Sequence, residues 1–188
     1  MQVTLDKQYP VASGVDAAWA ILSNIPELAT CMAGAQITEE TDPTHFKGSV
    51  RVKVGPAVAA FTGTIEVLSL DPVARTLKMM SKGADKSGSS ASMELTAKLV
   101  AIDNGNSTLE GHAEMIVNGK FAQFGGRMMT SVSDMILAQF AETFSQKAQA
   151  VQGAAPAAAP AVARELNALA ILWMLIRNFF ARLVGRRA

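Results

Sequence analysis

The amino-acid sequence predicts an α+β domain in which a curved antiparallel sheet wraps one long C-terminal helix, followed by a linker and an amphipathic tail helix. Three observations carry this. Runs of apolar–polar alternation, separated by turn residues, fill most of the chain between residues 35 and 117. The period then changes to threes and fours from Lys120. Finally, composition breaks near Ala148, where a charge-free Ala/Pro segment begins.

The elements follow in order. Residues 2–11 alternate as a first strand. Residues 15–23 (VDAAWAILS) have helical spacing, with Asp16 as cap or first-turn acid. Residues 24–26 break that helix, and 27–32 form a second short one. Six strands are then expected at 35–40, 44–54, 57–70, 75–82, 89–102 and 107–117. Asp42-Pro43, Gly55-Pro56, Asp71-Pro72, 84–88 and 103–106 turn the chain between them. Phe121, Phe124, Met128, Val132, Met135, Ile136, Phe140 and Phe144 then mark one amphipathic helix from Lys120 through Lys147. The domain is thus read as residues 1–148, the linker as 149–163 and the tail helix as 164–188. Pro156 and Pro160 prevent the linker from continuing as helix.

Alternation also predicts which side chains face the long helix. Phe46, Gly48, Val50, Val52 and Val54 share one face, and Phe61, Gly63, Ile65 and Val67 another. Ala91, Met93, Leu95 and Leu99 pair with Leu109, Gly111, Ala113, Met115 and Val117. These inward sets are apolar and rich in small residues. Small side chains under a helix leave either a space filled from opposite or a cavity, and adaptable methionines serve both. Periodicity leaves the two open. If a cavity exists, Phe46, Val50, Phe61, Ile65, Met93, Leu95, Met115, Phe121, Phe124, Met128, Val132 and Met135 are its expected ligand-binding residues.

Charge is divided unevenly. Residues 1–148 carry 12 Lys+Arg against 15 Asp+Glu, a net of −3, whereas the remainder carries five arginines and Glu165. A mildly acidic domain is a poor partner for nucleic acid, which requires a basic face. On a helical wheel of residues 164–188, Arg177, Arg182 and Arg186 fall in one half. Trp173, Ile176, Phe179, Phe180 and Leu183 fall in the other, with Ile171 and Leu175 violating the pattern. That division favours a helix lying in a membrane interface. A tilted span is disfavoured because the uncharged stretch 166–176 is short, and docking on a protein partner is the third option.

Chemistry-bearing groups are sparse. His45 and His112 are the only histidines and lack companions at metal-ligand spacing. Cys31 is the only cysteine, so no disulfide framework exists; a packing role outweighs a catalytic one. No phosphate-loop pattern accompanies Gly119, Gly125 and Gly126. Asp85, Lys86, Ser87 and Gly88 read as an exposed turn. Gln123 and Arg127 are placed one turn apart at the helix start, facing either a ligand head or water. The single cysteine makes a reducing cytoplasm the expected compartment, and the N-terminus carries no signal-peptide pattern.

Five ordered blocks resemble a known family. They are VDAAWAILSNIPELATCMAGAQ (15–36), FKGSVRVKVGP (46–56), FTGTIEV (61–67), KGADKSGSSAS (82–92) and GKFAQFGGRMM (119–129). Together they resemble the CoxG subunit family of carbon monoxide dehydrogenase, within the START/Bet v 1-like (SRPBCC) superfamily. The family's Cys-Ile/Met-Pro-Gly loop is here Cys31-Met32-Ala33-Gly34, without the proline. The resemblance implies a helix-grip fold with a hydrophobic tunnel, no covalently bound cofactor, and a lipophilic respiratory quinone as ligand. It further implies a non-enzymatic protein that serves a molybdenum carbon monoxide dehydrogenase at the cytoplasmic face of the membrane, with membrane lipids as second partner through the tail. A ligand-free tether or assembly factor, and an enzyme of the polyketide cyclase or hydratase type, are the alternatives.

Overall fold

The computed structural model describes residues 1–54, 57–102 and 105–153. Seven antiparallel strands form one sheet: β1 (Gln2–Val11), β2 (Ala35–Asp42), β3 (His45–Val54), β4 (Ala57–Asp71), β5 (Thr76–Asp85), β6 (Ser90–Ile102) and β7 (Asn106–Asn118). Their order is β1-β7-β6-β5-β4-β3-β2, so every neighbour but β1–β7 is joined by a hairpin. All strands expected from alternation are present, with ends displaced by three residues or fewer. The inward pairs also hold, since Ala91 faces Val117, Met93 faces Met115 and Leu95 faces Ala113.

Between β1 and β2 run α1 (Val15–Leu22) and α2 (Ile25–Ala29). Gly14 occupies the N-cap of α1 and Asp16 lies in its first turn, while Ala18, Trp19, Ile21 and Leu22 are buried. The second helix starts earlier than expected. Asn24 accepts a hydrogen bond from the Glu27 amide at 3.1 Å, and Pro26 is tolerated in the first turn, where an amide donor is dispensable.

The long helix needs a correction at its start. Lys120–Phe124 is a 3-10 turn, and α3 proper is Gly126–Gln152. Gly125 separates them at φ 79° and ψ 157°, a conformation only glycine adopts readily. Gln123 and Arg127, both exposed, therefore do not share a continuous helix. At the other end α3 continues past Ala148. Gln152 Oε1 accepts a hydrogen bond from Gly14 N at 2.7 Å, and Gly153 closes the helix at φ 76°. Residues 149–152 of the expected linker are thus helical.

Three apolar clusters frame the interior, the smallest being Val3, Leu5 and Ala113 on β1 and β7. The largest joins α1 and α2 to the C-terminal half of α3, with Leu22, Phe144 and Ala148 essentially inaccessible. An ion pair between Lys147 and Glu27 ties α3 to α2 there. A second cluster gathers Ala59, Val117 and Phe121 around the 3-10 turn. Every fully buried residue of α3 lies in its C-terminal half. Its N-terminal half covers something less densely filled.

Candidate functional site

Beneath that half lies a partly open cavity of about 430 Å³, bordered by the concave face of the sheet, α1, α2 and α3. This volume suits a small organic ligand. From α3, Met129, Val132, Ser133, Ile136, Leu137 and Phe140 face it, at the three-and-four spacing of one helix face. Leu22, Ile25, Leu28 and Met32 close one end, and Phe121 closes the other. Phe121 is 2% exposed and its ring lies 5.7 Å from Phe61 and 5.9 Å from Phe124.

Glycines on the inner face serve two ends, close approach of strand backbones at Gly48, Gly63 and Gly83 and open space at Gly111. Gly48 pairs with Gly63 and Gly63 with Gly83, so three neighbouring strands lack a side chain at one level of the inner face. Gly111 on β7 also faces inward, and a Cβ placed there would meet nothing within 4 Å. Empty space beside an inward backbone position is what a retained cavity looks like, as opposed to a core filled from opposite.

Of the twelve residues expected to contact a ligand, Val50, Phe61, Ile65, Met93, Leu95, Met115, Phe121 and Val132 line the cavity. Phe46 is buried but belongs to the core beside α1. Phe124 and Met128 pack on the Ala59–Val117–Phe121 cluster instead. Met135 is a correction: it is 61% exposed. One residue is about 100° on a helix, so the Met128–Met135 stripe is rotated off the Met129–Ile136 stripe that faces inward. The expected membrane-binding residues Trp173, Ile176, Arg177, Phe179, Phe180, Arg182, Leu183 and Arg186 lie outside the described residues. Among the described residues no helix is long and apolar enough to cross a membrane.

The inward sets read from alternation are apolar, but β1 adds polar groups to the interior. Lys7 and Tyr9 line the cavity from β1, where Val3, Leu5, Lys7, Tyr9 and Val11 occupy one face. Lys7 Nζ stands 2.8 Å from Asp134 Oδ1 on α3. The hydrogen bond to Asp134 holds the Lys7 ammonium above its ordinary pKa, with burial opposing it. In the sequence, the signal for this pair is a lysine interrupting an apolar alternation.

Lys82 also borders the cavity, whereas the histidines sit away from it. His45 Nδ1 contacts Asp42 at 2.9 Å, and His112 Nδ1 contacts Asp6 at 2.6 Å on the outer face. Hydrogen bonding to Asp6 raises the His112 pKa. No group of three or more metal-binding side chains exists among the described residues. In the turn after β5, the Ser87 side chain and the Ser87 and Ser89 amides hold the Asp85 carboxyl below its usual range, and Lys120 approaches at 3.9 Å. Cys31 is 1% exposed, and burial pushes its thiol up to about 11. Because the thiolate is the nucleophile, native Cys31 is expected to react with a thiol reagent roughly a hundredfold more slowly than the unfolded chain. Ellman kinetics with and without denaturant check this, and equal rates would contradict the buried, protonated state.

Among curated proteins none matches this sequence. Solved structures do match in fold. A conserved protein from Geobacillus kaustophilus aligns with TM-score 0.72 at 18% identity, covering 79% of this chain and 96% of that one. The ZhuI aromatase/cyclase from Streptomyces sp. R1128 aligns with TM-score 0.58 at 13% identity, over 79% and 94%. A START superfamily protein from Mycobacterium smegmatis aligns with TM-score 0.54 at 14% identity, over 79% and 98%. At these identities the likeness speaks for the fold, which is the START/Bet v 1-like helix grip. The family model for the CoxG subunit of carbon monoxide dehydrogenase matches residues 8–149, from the first strand through the long helix. This chain belongs to the CoxG subunit family of carbon monoxide dehydrogenase.

Proposed function

We propose that this protein carries a lipophilic ligand, a respiratory quinone, for a carbon monoxide dehydrogenase, and that its C-terminal segment holds it at the cytoplasmic face of the membrane. The observation that carries the reading is the cavity itself: about 430 Å³, lined almost wholly by apolar atoms, inside a domain of this family. Such a space favours a ring with an apolar chain over a polar substrate. The basic amphipathic pattern of residues 164–188 supports the tether, since a carrier of a membrane-soluble molecule must stay near its source.

An enzymatic reading has less support. General acid–base work needs a group titrating near the operating pH. Lys7, the cavity's inward-facing cation, is shifted further from neutrality by Asp134.

The test is organic extraction of the purified full chain followed by mass spectrometry, with vesicle flotation in parallel. A quinone is expected to co-purify. The full chain is expected to float, and a chain ended after Gly153 to remain in the soluble fraction. An empty protein with no quinone affinity sinks the carrier role, and equal flotation of the truncated chain sinks the tether.

A further inference from the structure

We propose that Lys7 and Tyr9, with Ser133, anchor the ligand's polar head, and that the Lys7–Asp134 pair selects a neutral oxygen-bearing head, such as a quinone carbonyl, over a fatty-acid carboxylate. The inference rests on the reading that the cavity holds a lipophilic ligand.

The placement comes from the strand register. On β1 the inward face runs Leu5, Lys7, Tyr9, and β7 sets Ala113, Gly111 and Leu109 opposite them in turn. Gly111 opposite Lys7 has no side chain, and its missing Cβ would point into open space. The polar group of β1 and an open inward position of β7 are therefore neighbours. From the other side α3 brings Ser133 to the cavity and Asp134 to Lys7. Tyr9 follows Lys7 two residues along the same inward face of β1. Ser81 adds a lone inward hydroxyl on β5, between Ile65 and Met93, but only the Lys7 region gathers several polar groups for the polar end of a lipophilic molecule.

Donor count and charge then decide what kind of head fits. An ammonium has three donors, and Lys7 Nζ is held 2.8 Å from Asp134 Oδ1 as an ion pair without committing a well-aligned donor to it. Its donors, with the Tyr9 and Ser133 hydroxyls, offer hydrogen bonds to an acceptor. The Lys7–Asp134 pair is neutral as a unit. Asp134 Oδ1 is closed off from solvent while the side chain as a whole is 48% exposed, so water weakens its repulsion of a second carboxylate without removing it. A carboxylate hydrogen-bonded to Lys7 would lie near that second carboxylate and gain little net attraction. A neutral carbonyl keeps its hydrogen bonds without that repulsion. Lys82, the other charged residue at the cavity, occupies an outward register position on β5 beside Thr64 and Ser92. It leaves the inner balance unchanged.

The experiment measures equilibrium binding of three probes to the full chain: decylubiquinone, palmitate, and decylbenzene, which has no oxygen. The wild type is expected to prefer decylubiquinone to palmitate by at least about tenfold. Lys7→Met is expected to weaken decylubiquinone about tenfold and leave decylbenzene nearly unchanged, as loss of a charge-assisted hydrogen bond predicts. Asp134→Asn, which frees the lysine charge, is expected to shift preference toward palmitate. Tyr9→Phe supplies a second, milder variant should Lys7→Met fail to fold. Palmitate binding as tight as decylubiquinone in the wild type overturns the proposal. So does an equal loss of decylubiquinone and decylbenzene in Lys7→Met, which would mark Lys7 as merely structural. Binding of none of the three probes overturns the carrier reading as well, whereas decylbenzene binding with decylubiquinone indifferent to Lys7 overturns the anchor alone.

Discussion

Replacing Gly63 by alanine is expected to destabilise the domain by about 3 kcal/mol or more, the range of severe overpacking. A Cβ on Gly63 would lie 1.9 Å from the Lys82 carbonyl oxygen and 2.6 Å from the Gly83 Cα. Both are backbone atoms of the neighbouring strand, so no side chain can swing away to make room. Relief requires β4 and β5 to separate where Gly63 pairs with Gly83 and Thr64 with Lys82, which weakens the ladder hydrogen bonds between them. For a domain of this size the loss corresponds to a fall in melting temperature on the order of 10 °C. Gly111→Ala is the matched control. It too replaces an inward strand glycine, but its new methyl meets nothing within 4 Å. Removing glycine's extra unfolded-state freedom should leave that variant as stable as the wild type or slightly more so. Thermal melts of the two variants side by side decide the matter. If Gly63→Ala melts with the wild type, β4 and β5 do not approach this closely at Gly63 in solution.

Both glycines fall on inward faces by alternation, and the sequence offers no means of telling them apart. The difference lies in curvature: at Gly63 the adjacent strand bends across the missing side chain, whereas at Gly111 the sheet faces open space. Curvature sums over several strands and is invisible to a period-two pattern. Strand identities and inward pairings are legible because alternation is local and each turn carries Gly, Pro or Asp. The start of α3 is not, because Phe121 and Phe124 continue the helical spacing across Gly125, whose φ of 79° breaks the helix. The misplacement of Met135 has a related cause. Choosing among adjacent methionines on one helix means choosing between faces 100° apart, and only packing against β1 and α1 settles the rotation. Lys7 and Tyr9 are hidden for a different reason. Strand periodicity assigns β1 a face, but only the position of α3 shows that this face borders a cavity.

Filling the cavity from Gly111 should abolish ligand uptake while leaving the fold intact. Gly111→Leu adds a branched apolar side chain at a position whose Cβ has free space. It enters beside Lys7, its partner across the β1–β7 ladder, and beside Ala97 on β6. Most large substitutions in a core cost stability because they displace packed neighbours. Here the new atoms enter space that neighbours do not occupy, and burying them offsets the loss of an open apolar surface. The melting temperature is therefore expected to hold or rise. Binding should move the other way. A leucine beside Lys7 takes the volume a ring would use, and a ligand that cannot place its ring must leave the cavity or displace the side chain. Affinity for decylubiquinone is expected to fall by at least about tenfold, equivalent to roughly 1.4 kcal/mol, and co-purifying lipid to disappear from extracts. This divergence separates a cavity built to be occupied from a packing defect. In a defect, filling the space improves stability and changes no binding. In a carrier, the empty volume is the function and stability has been given up to keep it. A Gly111→Leu protein that melts higher yet still takes up decylubiquinone at wild-type affinity would place the ligand somewhere other than this cavity.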